Sequence, residues 1–297
     1  MAIEELIIIN ANPPQTWQEV AAVGRSWPGA RECVQASAFA LLFGFCAGAM
    51  ADEFSIGGSG ATLGTLQNLA TEFTAKNPDI RITTVPSLGS AGGVRALVAG
   101  AIGLAATSRP LTDSERKLGA IEVEYARTPF VFAVSTRSKV MAISSAELAA
   151  IYANEMTAWA DGGRVRVVLR PASDIDTEMV ASISPEIGRA LALAQTRPGV
   201  QFSVNDQDAA DDLEKIDGAI GPTSLALIVS EKRRLRALKL DGKEPTLMNA
   251  ASGVYPYHKR LFLVTGAKRT AAVERFVDFV QSPAGRKILL SNGQWIP

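Results

Sequence analysis

Three times before residue 110 the chain passes from a short apolar stretch into glycine and hydroxyl residues and on toward a helical pattern. Phe54-Ser55-Ile56 leads to Gly58-Ser59-Gly60-Ala61-Thr62. Ile80 to Val85 leads to Gly89-Ser90-Ala91-Gly92-Gly93, and Gly103 to Ala106 leads to Thr107-Ser108-Arg109. Short apolar runs alternating with helical periodicity specify βαβ units and an α/β fold. Taken singly, each junction is a turn with a helix cap. Three in series put glycine and hydroxyl groups at the C-terminal edge of an open α/β sheet, where ligands bind. A helix N-terminus offers unpaired amides and the positive end of a dipole, so the pattern suits an anion.

The rest of the chain continues the alternation. A helix is expected over residues 62–76, where Leu63, Leu66, Leu69 and Phe73 share a face and Asn77-Pro78 stops it. Residues 87–93 are expected as a glycine loop, with helix from Val94. Residues 144–159 are expected as a helix capped by Ser145, 165–169 as a buried strand, 179–194 as one helix, and 271–280 and 283–291 as terminal helices. Two extended apolar runs, 122–135 and 255–265, are long for single strands and are expected to cross between lobes. The expected division is lobe one at 52–128 plus 258–297 and lobe two at 129–257.

Residues 1–51 stand apart. Val34 to Ala51 is apolar and uncharged, follows Arg31, and ends in Ala49-Met50-Ala51 before Asp52-Glu53, the pattern of a cleaved secretory signal. Met1 to Ala30 carries Glu4, Glu5 and Glu19 ahead of that basic flank, which suggests a translation start nearer Arg31. Both cysteines, Cys33 and Cys46, fall in this segment, so no disulfide or thiol chemistry is expected after processing. The expected compartment is the periplasm.

Charge excludes several partners. Thirty basic residues balance thirty acidic ones, so neither nucleic acid nor an anionic membrane surface is indicated. An anion site must then be built locally. Arg170, which follows an apolar strand and opens a loop with Ser173, Asp174, Asp176 and Thr177, is the stronger cationic candidate. Arg109 reads equally as an oxyanion contact or a surface ion pair. Catalysis finds little support: His258 is the only histidine, Gly57-Gly58-Ser59-Gly60 meets Ala61 where a nucleophile elbow needs glycine, and there is no Walker phosphate loop. No cofactor is expected. Asp206, Asp208, Asp211 and Asp212 read as a solvated helix start rather than a metal site.

The three junction motifs, in order and spacing, resemble the phosphate-binding proteins of ABC transporters. The likeness extends through Ser144 to Trp159, Gly218-Ala219-Ile220-Gly221, Gly253-Val254-Tyr255-Pro256 and Ser282-Pro283-Ala284-Gly285. It implies a two-lobed type II periplasmic-binding-protein fold with the ligand cleft between the lobes, and a monomer that delivers an oxyanion to a membrane permease. By matching position it implies ligand contacts at Ala61, Thr62 and Leu63, at Ser90, at Ser108 with Arg109, and at Arg170. Where the family continues from that arginine to Ser-Gly-Thr, this chain has Arg170-Pro171-Ala172-Ser173-Asp174-Ile175-Asp176-Thr177. Pro222 and Gly103 replace a usual aromatic and a usual acid. Phosphate is the first ligand expected. Molybdate, tungstate or sulfate is the alternative, and a sensory module or a phosphate-ester hydrolase is more remote. Asp174 and Asp176 either accept a ligand proton or cap the helix that starts near Thr177.

The signal reading predicts that mass spectrometry of exported protein finds Asp52 as the new N-terminus. A soluble cytoplasmic protein that retains residues 1–51 would contradict it.

Overall fold

The computed structural model describes residues 52–199 and 201–297; the expected signal segment lies outside them. In chain order the elements are β1 (Asp52–Gly58), α1 (Gly60–Lys76), β2 (Ile80–Thr84), α2 (Gly89–Val98), β3 (Leu104–Thr107), α3 (Asp113–Lys117) and β4 (Ile121–Ser135). They continue with β5 (Ala142–Ile143), α4 (Ser145–Ala153), β6 (Arg166–Leu169), α5 (Ile175–Ala181), α6 (Pro185–Gln195), β7 (Gln201–Phe202), α7 (Asp206–Lys215) and β8 (Ala219–Ser224). The last are α8 (Leu225–Ser230), β9 (Leu235–Ala237), β10 (Lys239–Leu240), α9 (Leu247–Ala251), β11 (His258–Thr265), α10 (Ala271–Gln281) and α11 (Pro283–Ser291).

Nine strands form a mixed sheet in the order β2-β1-β3-β11-β4-β8-β6-β7, with β9 also on β4, and β5 pairs with β10 apart from it. Strand β4 is its spine. From Ile121 to Pro129 it pairs antiparallel with β11, and from Phe130 it pairs with β8 and β9. Fifteen extended residues reach about 50 Å, enough to serve both halves of the molecule. On one side of the changeover, Phe54, Ile56, Leu66, Phe73, Leu261 and Phe276 build a core. On the other, Phe130, Phe132, Leu148, Tyr152, Leu169 and Ile187 build a second. Strand β4 and the stretch from Tyr255 that leads into β11 pass between these cores, which makes a two-lobed α/β fold. Thr128 ties the junction, since its hydroxyl donates to the Gly293 carbonyl and accepts from the Ala226 amide, at 2.8 and 3.0 Å.

Strands β1, β2 and β3 run parallel, so the three glycine–hydroxyl junctions emerge from one edge of the sheet. The second junction is helical rather than a loop. Helix α2 begins at Gly89, five residues before the expected start. Close packing explains it: a Cβ on Gly93 would stand 2.6 Å from Gly58 Cα, so glycine lets the first turns of α2 lie against the end of β1.

Other boundaries shift for local reasons. Helix α4 is capped by Ser144, whose hydroxyl accepts from the Glu147 amide while Glu147 reaches back, and it ends at left-handed Asn154, well before Trp159. The indole of Trp159 instead joins the lobe-two core and donates to the Gly218 carbonyl. The single helix expected over 179–194 is two, because Ser184-Pro185 starts a new helix with its own cap. Among the described residues no helix is long and apolar enough to cross a membrane.

Gly58 is the tightest point of the first junction. Its φ is +131°, and an added Cβ would lie 2.0 Å from the Ala106 carbonyl oxygen. Gly58→Ala is therefore expected to cost about 3 kcal/mol or more, from strained backbone plus forced displacement of β3. Urea denaturation should show this as a lower midpoint; an unchanged midpoint would contradict the packing described.

Candidate binding cleft

The sheet edge carries a cluster of hydroxyls. Ser59 follows β1, Ser90 stands in the first turn of α2, and Ser108 follows β3. Ser59 Oγ donates to Ser108 Oγ at 3.2 Å, and Ser90 and Ser108 hydroxyls lie 3.3 Å apart. The Ser108 amide donates to Ser90 Oγ at 3.1 Å. These residues form one wall of a cleft of about 290 Å³; Pro171, Ser173, Asp174 and Asp206 form the facing wall. A larger hollow of about 460 Å³ lies beside Arg164, Arg166 and Arg197, at the N-terminal end of β6, the opposite end from Arg170. It lacks the converging strand ends and hydroxyls of the cleft.

Under the second wall is a cluster of five charged groups. Arg170 is 2% exposed. It donates through Nη1 to the Ser203 carbonyl at 2.8 Å and through Nη2 to Asp174 Oδ2 at 2.6 Å, while its Nε is buried without a partner. Lys259, 1% exposed, forms an ion pair with Asp176 and stands 3.6 Å from Asp206. Burial alone would neutralise such groups, so their mutual charges decide their state. Burial opposes the Lys259 ammonium, but Asp176 and Asp206 outweigh it and hold it above its usual range. Burial likewise opposes the Asp206 carboxylate, yet Lys259, Arg170 and a hydrogen bond from the Gly60 amide keep it below its ordinary value. Asp176 goes the other way. Burial, helped by the charges of Asp174 and Asp206 and opposed by Lys259 and Arg170, pushes its carboxyl up to about 6.

The residues singled out in the sequence take distinct places. Ser90, Ser108, Arg109, Ser173 and Asp174 line the cleft. Ala61, Thr62 and Leu63 are buried in the first turn of α1, where the Thr62 hydroxyl donates to the Ser59 carbonyl at 2.8 Å. Arg109 is held in a fork by Glu115, with both contacts at 2.8 Å. The arginine in turn holds the Glu115 carboxyl down to about 2. Asp174 caps α5 by accepting from the Asp176 amide at 2.9 Å, and Asp176 is buried against Lys259. The Thr177 hydroxyl donates to the carbonyls of Pro171 and Arg170 at 2.9 and 3.1 Å.

In the sequence Ser59 reads only as part of the first motif and Asp206 only as part of an acidic helix start, and Lys259 is not singled out. Asp206 is not the solvated helix start expected of it; at 7% exposure it is drawn inward by Lys259 and Gly60. Lys259 was detectable. Strand alternation puts it on the face of Leu261 and Leu263 and opposite exposed Arg260, an inward charge that demands a buried partner.

Two lobes and a hydroxyl-lined cleft at the C-terminal edge of the parallel strands are the features that the chain's relatives can be compared on. The chain matches the family described as the PBP superfamily domain over residues 47–284, and it belongs to that family. It is 25% identical over 256 residues to the phosphate-binding protein PstS of Bacillus subtilis, covering 82% of this chain and 80% of that protein. It is 24% identical over 246 residues to PstS of Borreliella burgdorferi, covering 80% and 88%. Among solved structures, a substrate-binding protein assigned to phosphate ABC transport from Clostridium perfringens, with bound phosphate, shares the fold. Its TM-score is 0.70 at 22% identity, covering 83% of this chain and all of that one.

The raised Asp176 carboxyl has a consequence for stability. Its ordinary value is 3.8, so between about 4 and 6 the folded chain holds a proton that the unfolded chain has released. This group therefore adds stability as pH falls through 6 and loses it as pH rises. Asp206, held low, acts only below its ordinary range and outside that window. From pH 7 to pH 5 the parent's thermal midpoint should gain relative to that of Asp176→Asn. Parallel pH profiles for the two proteins would mean that Asp176 ionises normally.

Proposed function

We propose that this chain is an extracytoplasmic solute-binding protein that captures inorganic phosphate between its lobes and delivers it to the permease of an ABC transporter. One arrangement carries the reading: the Ser59, Ser90 and Ser108 hydroxyls at the ends of parallel strands oppose a loop that opens with Arg170, whose buried Nε still lacks a partner. Helix N-termini and hydroxyls supply neutral donors, and one guanidinium supplies charge, a combination that suits a small tetrahedral oxyanion. The two curated relatives described above are named phosphate-binding proteins and match along most of their length. They are named as binding proteins, and catalysis forms no part of the proposal.

Residues 129–257 act as one lobe and 52–128 with 258–297 as the other, closing about the crossings of β4 and β11 in a monomer that matures by cleavage before Asp52. Asp174 favours phosphate over sulfate or molybdate. Phosphate retains a proton near neutral pH and donates it to a carboxylate, whereas a fully ionised oxyanion meets that carboxylate as like charge.

Titration calorimetry is expected to find one phosphate per chain. Five heavy atoms at about 1.5 kcal/mol each give about 7.5 kcal/mol, near micromolar affinity. Arg170→Ala should weaken binding by about 2–5 kcal/mol, because a charged donor is lost from a desolvated site. Absence of heat with phosphate would overturn the proposal, and full affinity in Arg170→Ala would place the anion elsewhere.

A further inference from the structure

The positive end of α1 is already occupied, and by a residue of the opposite lobe. Helix α1 runs for 17 residues without an acidic residue in its first turn, and its N-cap Ser59 makes no capping bond. The Ser59 hydroxyl is committed to Ser108 instead. The anion that α1 lacks locally is supplied by Asp206, the first residue of α7, whose carboxylate packs against Gly60 in the first turn of α1. Gly60 is needed for this approach: an added Cβ would stand 2.7 Å from Asp206 Cβ and 2.9 Å from its Oδ2. Next to it, Gln207 Nε2 donates to the Gly60 carbonyl at 3.1 Å. Asp206 thus meets a helix N-terminus, the Lys259 ammonium at 3.6 Å and the charge of Arg170, which is the environment an oxyanion would seek.

We propose that Asp206 is an internal ligand, a carboxylate that fills the anion position at the α1 N-terminus in the ligand-free protein, holds the lobes together there, and is displaced when an oxyanion enters. Only the displacement step rests on the phosphate reading; the tie between lobes does not.

Charge explains why the carboxylate must leave. Arg170 and Lys259 are the two cations of the cluster, and Asp174, Asp176 and Asp206 are its three carboxylates. Above the range in which Asp176 protonates, the cluster is negative before any ligand arrives. A further anion added beside Asp206 faces like charge in a low-dielectric site. An anion that takes its place inherits the position beside Gly60 and approaches the unpartnered Nε of Arg170. Anion uptake is then an exchange of one acceptor for another, and apparent affinity is reduced by whatever Asp206 contributes to the closed state. The exchange also makes Asp206 a determinant of ligand choice, since only an anion that outcompetes a tethered carboxylate is held.

The test compares the purified protein with Asp206→Ala, using small-angle scattering without ligand and calorimetry with inorganic phosphate and sulfate. Ligand-free Asp206→Ala is expected to have a larger radius of gyration than the parent, and its phosphate dissociation constant should fall by about tenfold or more. An unchanged radius, or phosphate binding that stays equal or weakens, overturns the proposal. If Asp206→Ala loses its folded circular dichroism, Asp206→Asn, which keeps the shape and removes the charge, carries the same two expectations. If no protein in the set binds phosphate or sulfate, the phosphate reading fails, and the change in ligand-free radius alone decides whether Asp206 ties the lobes.

Discussion

The buried ammonium of Lys259 is the constraint around which the centre of this molecule is arranged. It projects from β11 beside the point where β4 changes partners, since Lys259 is in register with Thr128. A charge in that position is tolerated only with compensating charge at close range. Asp176, from α5, and Asp206, from α7, provide it. Removing one member of such a group leaves an uncompensated buried charge, so the residues act as a unit. The carboxylates come from α5 and α7, while the lysine lies on β11, which pairs with β3 and β4. The ion pairs therefore tie α5 and α7 to β11.

Around that cluster the binding wall follows from topology. Three parallel strands deliver their C-terminal ends to one edge, and α1 and α2 start there. Glycine at Gly58 and Gly93 lets backbone segments, and at Gly60 the side chains of Asp206 and Gln207, approach within distances that a side chain there would block. The result is a concavity rich in neutral donors, with the Ser108 hydroxyl in contact with those of Ser59 and Ser90. The opposite wall is less neutral. The loop after the arginine carries Asp174 and Asp176, and the two have separated in role. Asp174 caps a helix and pairs with Arg170, and Asp176 neutralises Lys259.

Much of this was legible in the sequence, for identifiable reasons. The α/β class followed from alternating periodicities, and the crossing strands were visible as extended apolar runs too long for one sheet half. Boundaries failed where tertiary contact overrode local pattern. The glycines of α2 looked like a loop because their reason for being helical, contact with β1, is remote in sequence. The cap of α4 was misplaced by one residue because adjacent serines are equivalent until Glu147 chooses between them. Asp206 was the largest miss: surrounded by other aspartates, it read as solvated, and its partners Gly60 and Lys259 lie far away along the chain. Lys259, by contrast, broke the alternation of its own strand and could have been found by that signal.

The central claim is that a tetrahedral oxyanion sits between the strand-edge serines and Arg170. Arsenate, an anomalously scattering analogue of phosphate, tests it most directly. Crystals grown with arsenate should show a single strong anomalous peak per chain within hydrogen-bonding reach of Ser90, Ser108 and Arg170 Nε. A peak at any other place on the chain, or a cleft without one at saturating arsenate, would contradict the account.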